Sequence, residues 1–266
     1  MNRVDGKVAI VTGAGKGIGR ATAELLAECG AKVLVTDVLD AEVEETVEQI
    51  RAQGGEAQGL RHDVTNEDDW TAAVDAAVNG LGGFEVLINN AGVYLQKSIE
   101  DTTFEEYDRV MRINVWGVML GTRFAMSSMK ERISADDPAG AIVNLVSTAS
   151  IKGSPFASVY ATSKGAVRLF TRSTAREISA LGYNIRVNGI YPGIIDTEMG
   201  AAAMQRIVKS VGESENRARE IAEELHLINR LGTAVDIARG IVFLASEDAS
   251  YITGTEFVVD GGFWLK

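Results

Sequence analysis

The chain has 266 residues and a net charge of −11, from 37 acidic against 26 basic side chains, with hydrophobic residues at 46%. This suits a globular chain with a sizeable core, and the negative balance argues against nucleic acid or an anionic membrane as the main partner. A single cysteine, Cys29, excludes an internal disulfide, and neither it nor His62 and His226 stand at ligand spacing, so no metal is expected.

The N-terminal MNRVDGK enters a strand at once, without a leader pattern, and no apolar run reaches membrane-spanning length. A cytoplasmic location is expected. Lys7–Thr12 is a short apolar run of the kind found in strands buried on both faces. Gly13-Ala-Gly-Lys-Gly-Ile-Gly19 then opens a helix, Arg20 to Cys29, that stops at Gly30. Strand Lys32–Asp37 precedes helix Ala41–Ala52. A third strand leads into His62-Asp63-Val64, and Thr65 or Asn66 can cap the helix of Trp70, Val74 and Val78. A fourth strand, Phe84–Asn90, ends in Ala91-Gly92. The region from about Thr103 to Arg132 is helical, with apolar residues too widely spread for one stripe, so much of it should be buried. Strand Ala141–Val146 runs into Ser147, and after a loop with Gly153 and Pro155 a helix carries Tyr160 and Lys164 on to Gly182. Strand Asn184–Ile190 is followed by Tyr191-Pro192-Gly193. The segment from about 196 to 230 breaks the rhythm, with helix over Arg217–Leu225. Helix Asp236–Ala245 and strand Glu256–Asp260 complete the chain. Seven strands alternating with helices predict one α/β domain over 1–266: a doubly wound, Rossmann-type, mostly parallel sheet with helices on both faces.

Four glycines between a buried strand and a helix let a backbone approach a pyrophosphate, where the helix N-terminus supplies N–H donors and positive dipole. Asp37 stands about twenty residues further on, where a carboxylate holds ribose hydroxyls and repels a 2′-phosphate, which favours NAD over NADP. Lys16 pulls the other way, and helix capping is the alternative use of Asp37. Asp63 and Asn90 also end strands on the edge where such sheets bind ligands, although either residue type also serves turns. Asn114 is a poor helix former inside an apolar helix and needs polar partners there. Tyr160 and Lys164, four residues apart, advance a helix by about 400° and so share a face. A cation beside a phenol favours the phenolate; moving it from about 10 to about 7 requires roughly 4 kcal/mol. Ser147 is placed to hydrogen-bond the same reacting oxygen.

Thr12 to Gly19, Asp63, Asn89-Asn-Ala-Gly92, Asn114, Ser147, Tyr160-x-x-x-Lys164, Pro192-Gly193 and Asp260-Gly-Gly262 together resemble the short-chain dehydrogenase/reductase family over nearly the whole chain. The resemblance implies Tyr160 as general acid/base, Lys164 lowering its pKa, Ser147 holding the substrate oxygen and Asn114 supporting a water in a proton relay. It implies NAD held by Gly13, Lys16, Gly17, Ile18, Gly19, Asp37, Asp63, Val64, Asn90, Gly92, Tyr160, Lys164, Ile195 and Thr197, and a homotetramer. It places the substrate pocket at Thr148–Gly153, Val93–Leu95 and the 196–230 segment with Met199, Met204, Ile207 and Val208. Apolar side chains around a small polar centre suit a neutral hydrophobic secondary alcohol or ketone. Similarity in character to bacterial cyclic-alcohol and hydroxysteroid dehydrogenases points the same way. The alternatives are a 3-oxoacyl-[acyl carrier protein] reductase, disfavoured by Asp37 and the acidic charge, and a non-catalytic dinucleotide-binding regulator.

Overall fold

A computed structural model describes residues 3–201 and 215–266 of the chain. Its seven strands form one all-parallel sheet in the order β3-β2-β1-β4-β5-β6-β7. In chain order these are β1 (Val8–Thr12), β2 (Lys32–Asp37), β3 (Glu56–Arg61), β4 (Val86–Asn89), β5 (Gly140–Leu145), β6 (Ile185–Pro192) and β7 (Glu256–Val259). Every residue of β1, β4, β5 and β6 is buried, as continuous apolar runs covered on both faces require. In the edge strand β3 only Ala57 is buried, and the other positions are half-buried or exposed.

The helices are α1 (Gly17–Glu28), α2 (Asp40–Ala52), α3 (Glu67–Asp75), α4 (Phe104–Met111), α5 (Gly117–Arg132), α6 (Ala149–Lys152), α7 (Ser158–Ala180), α8 (Glu215–Glu224) and α9 (Ala234–Ala245). Two cores sandwich the sheet. On one face Leu26 of α1, Val47 of α2 and Ile241 of α9 cover Val11, Val35 and Val143. On the other, Trp70 of α3, Leu120 and Met129 of α5 and Ile178 of α7 cover Ile10, Leu87 and Ile142. Asn66 caps α3 by accepting the Asp68 and Asp69 N–H groups, and capping boxes start α4 at Thr103 and α9 at Thr233.

Two details depart from the expected elements. The first helix begins at Gly17, inside the glycine motif rather than after it. The long helical region is two α-helices joined by a π-turn over Arg112–Trp116. That single wide turn re-aims side chains within an otherwise continuous helix, and Asn114 lies in its middle.

Because consecutive strands run outward from β1 in both directions, the topology reverses between β1 and β4. The carboxyl ends of all seven strands open there onto one edge, where open α/β sheets form their binding crevice.

Candidate active site

A cleft of about 1570 Å³ follows that edge. Its lining includes Gly13, Lys16, Gly17, Ile18, Gly19, Asp37, Asp63, Val64, Asn90, Gly92, Ser147, Tyr160, Lys164, Ile195 and Thr197, so fifteen of the sixteen residues singled out in the sequence converge on one cavity. The sixteenth, Asn114, is fully buried behind the wall.

At one end the glycine turn and α1 meet the cleft. The N-cap residue Lys16 makes no capping bond with its side chain, and the first turn of α1 carries no acid. A helix entrance left uncapped on a cleft has N–H groups and positive dipole available for an anion, so the donor set fits a dinucleotide pyrophosphate. The turn is braced from three sides. Asn90 Nδ2 donates to Thr12 O and Gly13 O, both at 2.8 Å. The Gly15 N–H donates to Asp37 Oδ2 at 3.1 Å, and Thr46 Oγ1 donates to Ala14 O at 3.1 Å. Asp37 and Asn90 therefore shape the loop as well as facing the cavity. Thr46 sits mid-helix in α2 and carries no local signal of this contact. Lys16 Nζ lies 3.4 Å from Glu42 and 3.5 Å from Glu198, so its charge is shared between two carboxylates.

His62 lies at the same end, buried, with Nδ1 3.1 Å from Thr36 Oγ1 and its ring edge-on to Trp70. Burial pushes its pKa down to about 4, against the opposing pull of Asp69 and Asp63. The folded chain thus holds His62 neutral where the unfolded chain, near 6.5, binds a proton. Stability from this group is complete above about pH 6.5 and is lost as pH falls towards 4, a difference of about 3 kcal/mol. Urea melts at pH 7.5 and 4.5 should show this acid limb, and His62→Gln should flatten it; an equally steep limb in the variant would reject the assignment.

Further along, Ser147 follows β5, and Tyr160 and Lys164 project from the first turns of α7. Ser147 Oγ accepts the Ala149 N–H at 3.1 Å, which leaves its own hydrogen free to be donated into the cleft beside Tyr160. Tyr94 packs edge-on to the Tyr160 ring at 4.9 Å. Lys164 is buried and its Nζ donates to Leu145 O at 2.8 Å, 5.9 Å from the Tyr160 ring centroid. One expectation is corrected here. Pairing with Lys164 predicts a phenol shifted down, yet burial in the cleft pushes Tyr160 up to about 12, opposed by the Ser147 hydrogen bond. Burial likewise pushes Lys164 down to about 8. The ammonium is anchored to Leu145 O at the end of β5, and desolvation is the largest influence on both groups.

Asn114 acts from behind. Its Oδ1 accepts the Val93 N–H at 2.8 Å, while Nδ2 donates to Val93 O at 2.9 Å and to Ser163 Oγ at 3.0 Å. One amide thereby ties the loop after β4 to the catalytic face of α7, next to Lys164. Gly92 permits this closeness: a Cβ there would stand 3.2 Å from Asn114 Oδ1 and 3.5 Å from Lys164 Nζ. Beneath, Asn89 and Asn144, register partners on β4 and β5, join Thr122 of α5 to Thr171 of α7 in a buried amide–hydroxyl ladder. Its polar groups satisfy one another, so it stiffens the floor of the site.

Beyond Ser147 the cleft turns apolar, lined by Val93, Tyr94, Val146, Ile194, Met199 and Phe263. Of the expected substrate residues, Thr148, Ala149, Lys152 and Gly153 line it and Ser150, Ile151 and Leu95 do not; Met204, Ile207 and Val208 lie outside the described residues. Sequence reasoning missed Phe104, Arg109 and Arg112 on the rim and Phe263 at the far end. The capping box at Thr103 is the one signal that would have placed the start of α4 near the site.

The model of a family described as enoyl-(acyl carrier protein) reductase matches residues 13–264. A cyclopentanol dehydrogenase of Comamonas sp. (strain NCIMB 9872) is 38% identical over 99% of both chains. The chain belongs to the short-chain dehydrogenase/reductase family. Other relatives in this short-chain dehydrogenase/reductase group include a 3-alpha-(or 20-beta)-hydroxysteroid dehydrogenase of Mycobacterium bovis, 37% identical over 98% of this chain and 90% of that one. An NADP-dependent (R)-specific alcohol dehydrogenase of Lentilactobacillus kefiri is 35% identical over 98% of each. Short-chain dehydrogenases use nicotinamide dinucleotides, and this chain is an oxidoreductase among them.

Proposed function

We propose that the protein transfers hydride between NAD and a neutral, hydrophobic, cyclic secondary alcohol or its ketone, with Tyr160 as general acid/base. The observation that carries this is the convergence of Ser147, Tyr160 and Lys164 on the one cleft, with Lys164 buried one turn along the same helix as Tyr160. The dinucleotide, when bound, accepts or supplies hydride at its nicotinamide ring. Ser147 directs its hydroxyl to the substrate oxygen and fixes that oxygen beside the phenol. In ketone reduction Tyr160 gives its proton to the oxygen as negative charge develops there; in alcohol oxidation the phenolate takes the hydroxyl proton. A phenol raised to about 12 is fully protonated at neutral pH, so it stands ready as the acid, and oxidation should accelerate as pH rises. Asn114 holds Val93 and Ser163, the residue before Lys164 on α7, in place.

NAD over NADP is supported by Asp37 at the nucleotide end and by the engagement of Lys16 with Glu42 and Glu198, which leaves that cation a poor partner for a 2′-phosphate. Asp37→Ala should lower the NAD-to-NADP ratio of kcat/KM roughly tenfold or more, a change of about 1.4 kcal/mol per decade. An unchanged ratio would remove the carboxylate as discriminator.

A panel of cyclopentanol, cyclohexanol, 2-alkanols, a hydroxysteroid and an acetoacetyl thioester, followed at 340 nm with each cofactor, tests the whole reading. NADPH-linked thioester reduction alone would overturn it in favour of the acyl-carrier substrate. The proposal includes a cytoplasmic homotetramer: Phe104, Tyr107, Trp116, Phe156 and Leu169 leave large apolar side chains exposed, which contact between copies would cover. Light scattering of the purified chain tests it.

A further inference from the structure

The carboxyl ends of the strands order the cleft chemically. Asp63 and Asp37 follow β3 and β2, the glycine turn follows β1, and Ser147 follows β5. The end opposite the acids is made by the chain beyond β7, the short C-terminal turn Phe263–Leu265. Phe263 is the residue of that turn that lines the cleft.

Phe263 is fastened from two sides. Lys152, in the wall that begins at Ser147, sets its Nζ 4.2 Å from the Phe263 ring centroid and donates to the Phe263 carbonyl at 3.3 Å. The buried His226, just past α8, also stacks on the ring, with centroids 5.1 Å apart and planes at 29°. The turn itself is built to present the ring: Asp260 accepts the Gly262 and Trp264 N–H groups, each at 2.8 Å. Gly261 and Gly262, both at positive φ, lie against Ile228 and Leu227, where a Cβ on either would collide. Four separate devices thus hold one aromatic ring at the mouth of the apolar half of the cleft.

We infer that Phe263, clasped between Lys152 and His226, is the residue that sets substrate size and charge in this cleft, limiting it to compact neutral alcohols. This rests on the alcohol reading above. Ser147 follows β5 and the Phe263 turn follows β7, two strands further across the sheet, so the ring bounds the apolar half of the cleft on the side away from the nucleotide end. A bulky ring fixed there takes up room that the further rings of a fused multi-ring alcohol would need. Lys152 lines the cleft, but its ammonium is engaged by the Phe263 ring and backbone carbonyl, which makes it a weaker partner for a carboxylate or phosphate tail.

The test compares kcat/KM for cyclopentanol and for a hydroxysteroid, with NAD, in the wild type, Phe263→Ala, Phe263→Tyr and Lys152→Met. Phe263→Ala should raise the steroid-to-cyclopentanol ratio at least tenfold, Lys152→Met should raise it in the same direction, and Phe263→Tyr should keep the wild-type ratio. A merely structural defect lowers both substrates together and leaves the ratio alone, which would reject the inference, and thermal melts identify variants that are simply unfolded. A wild type active on cyclopentanol with the ratio unmoved in both Phe263→Ala and Lys152→Met removes the specificity role and leaves the alcohol reading intact. A wild type that reduces neither cofactor with any alcohol removes the alcohol reading, and this role with it.

Discussion

Tyr160→Phe should lower turnover by about 10³-fold or more in both directions while leaving dinucleotide binding within a few-fold of wild type. The substitution removes one oxygen, the group placed to pass a proton to the reacting centre, and proton transfer of this kind contributes roughly 10²- to 10⁴-fold. The ring remains to pack against Tyr94, and Lys164 keeps its bond to Leu145 O, so the fold loses only one phenol oxygen in the cleft, on the order of 1 kcal/mol. Steady-state rates in both directions, alongside a binding titration by protein fluorescence, separate the two effects. Retained turnover would remove Tyr160 as the acid/base.

Gly19→Ala should be strongly damaging to both fold and dinucleotide binding. Its Cβ would fall inside contact distance of the Gly13 carbonyl oxygen and of Asn90 Nδ2, two groups already bonded to each other at 2.8 Å. Neither is the free end of a flexible side chain, so the glycine turn must open, the brace from Asn90 is lost, and α1 is displaced from the sheet. Overpacking of this kind costs about 1–3 kcal/mol, and the broken brace adds to it. Dinucleotide affinity should fall with it, because the helix entrance moves. Gly165→Ala provides the contrast: nothing stands within 4 Å of a Cβ there, and a helix-interior glycine costs about 1 kcal/mol relative to alanine. Denaturant midpoints should move in opposite directions for the two variants. A Gly19→Ala chain of wild-type stability would show that Asn90 does not hold the turn.

The alternating apolar runs and turn residues made the order of strands and helices readable, since β1, β4 and β5 bury every side chain and leave no ambiguity of face. The residues around the cleft were readable because each glycine, carboxylate or amide, which alone could serve a turn or a cap, stands at a strand end in the order and spacing of one family's motifs. The features that stayed hidden depend on contacts between distant residues. The π-turn at Asn114 leaves no mark in a region already apolar all round. The clasp of Lys152 on Phe263 joins positions 111 apart in sequence. The direction of the Tyr160 shift depends on where Lys164 spends its ammonium, and helical spacing places the two side chains on one face without fixing that bond.

The strand order also bears on how the chain is made. After β1, strands two and three add to one flank, and β4 through β7 then add in succession to the other. Each newly synthesised strand finds its neighbour already in existence, so a chain emerging from the ribosome can extend its sheet without waiting for later sequence. No parallel pair forms from a tight hairpin, and every pairing closes a long loop, which makes spontaneous refolding of the whole chain slow and exposes unfinished sheet edges. Vectorial synthesis relieves that difficulty. The nucleotide end is completed early, and the aromatic residue at the opposite end follows only after the last strand, β7.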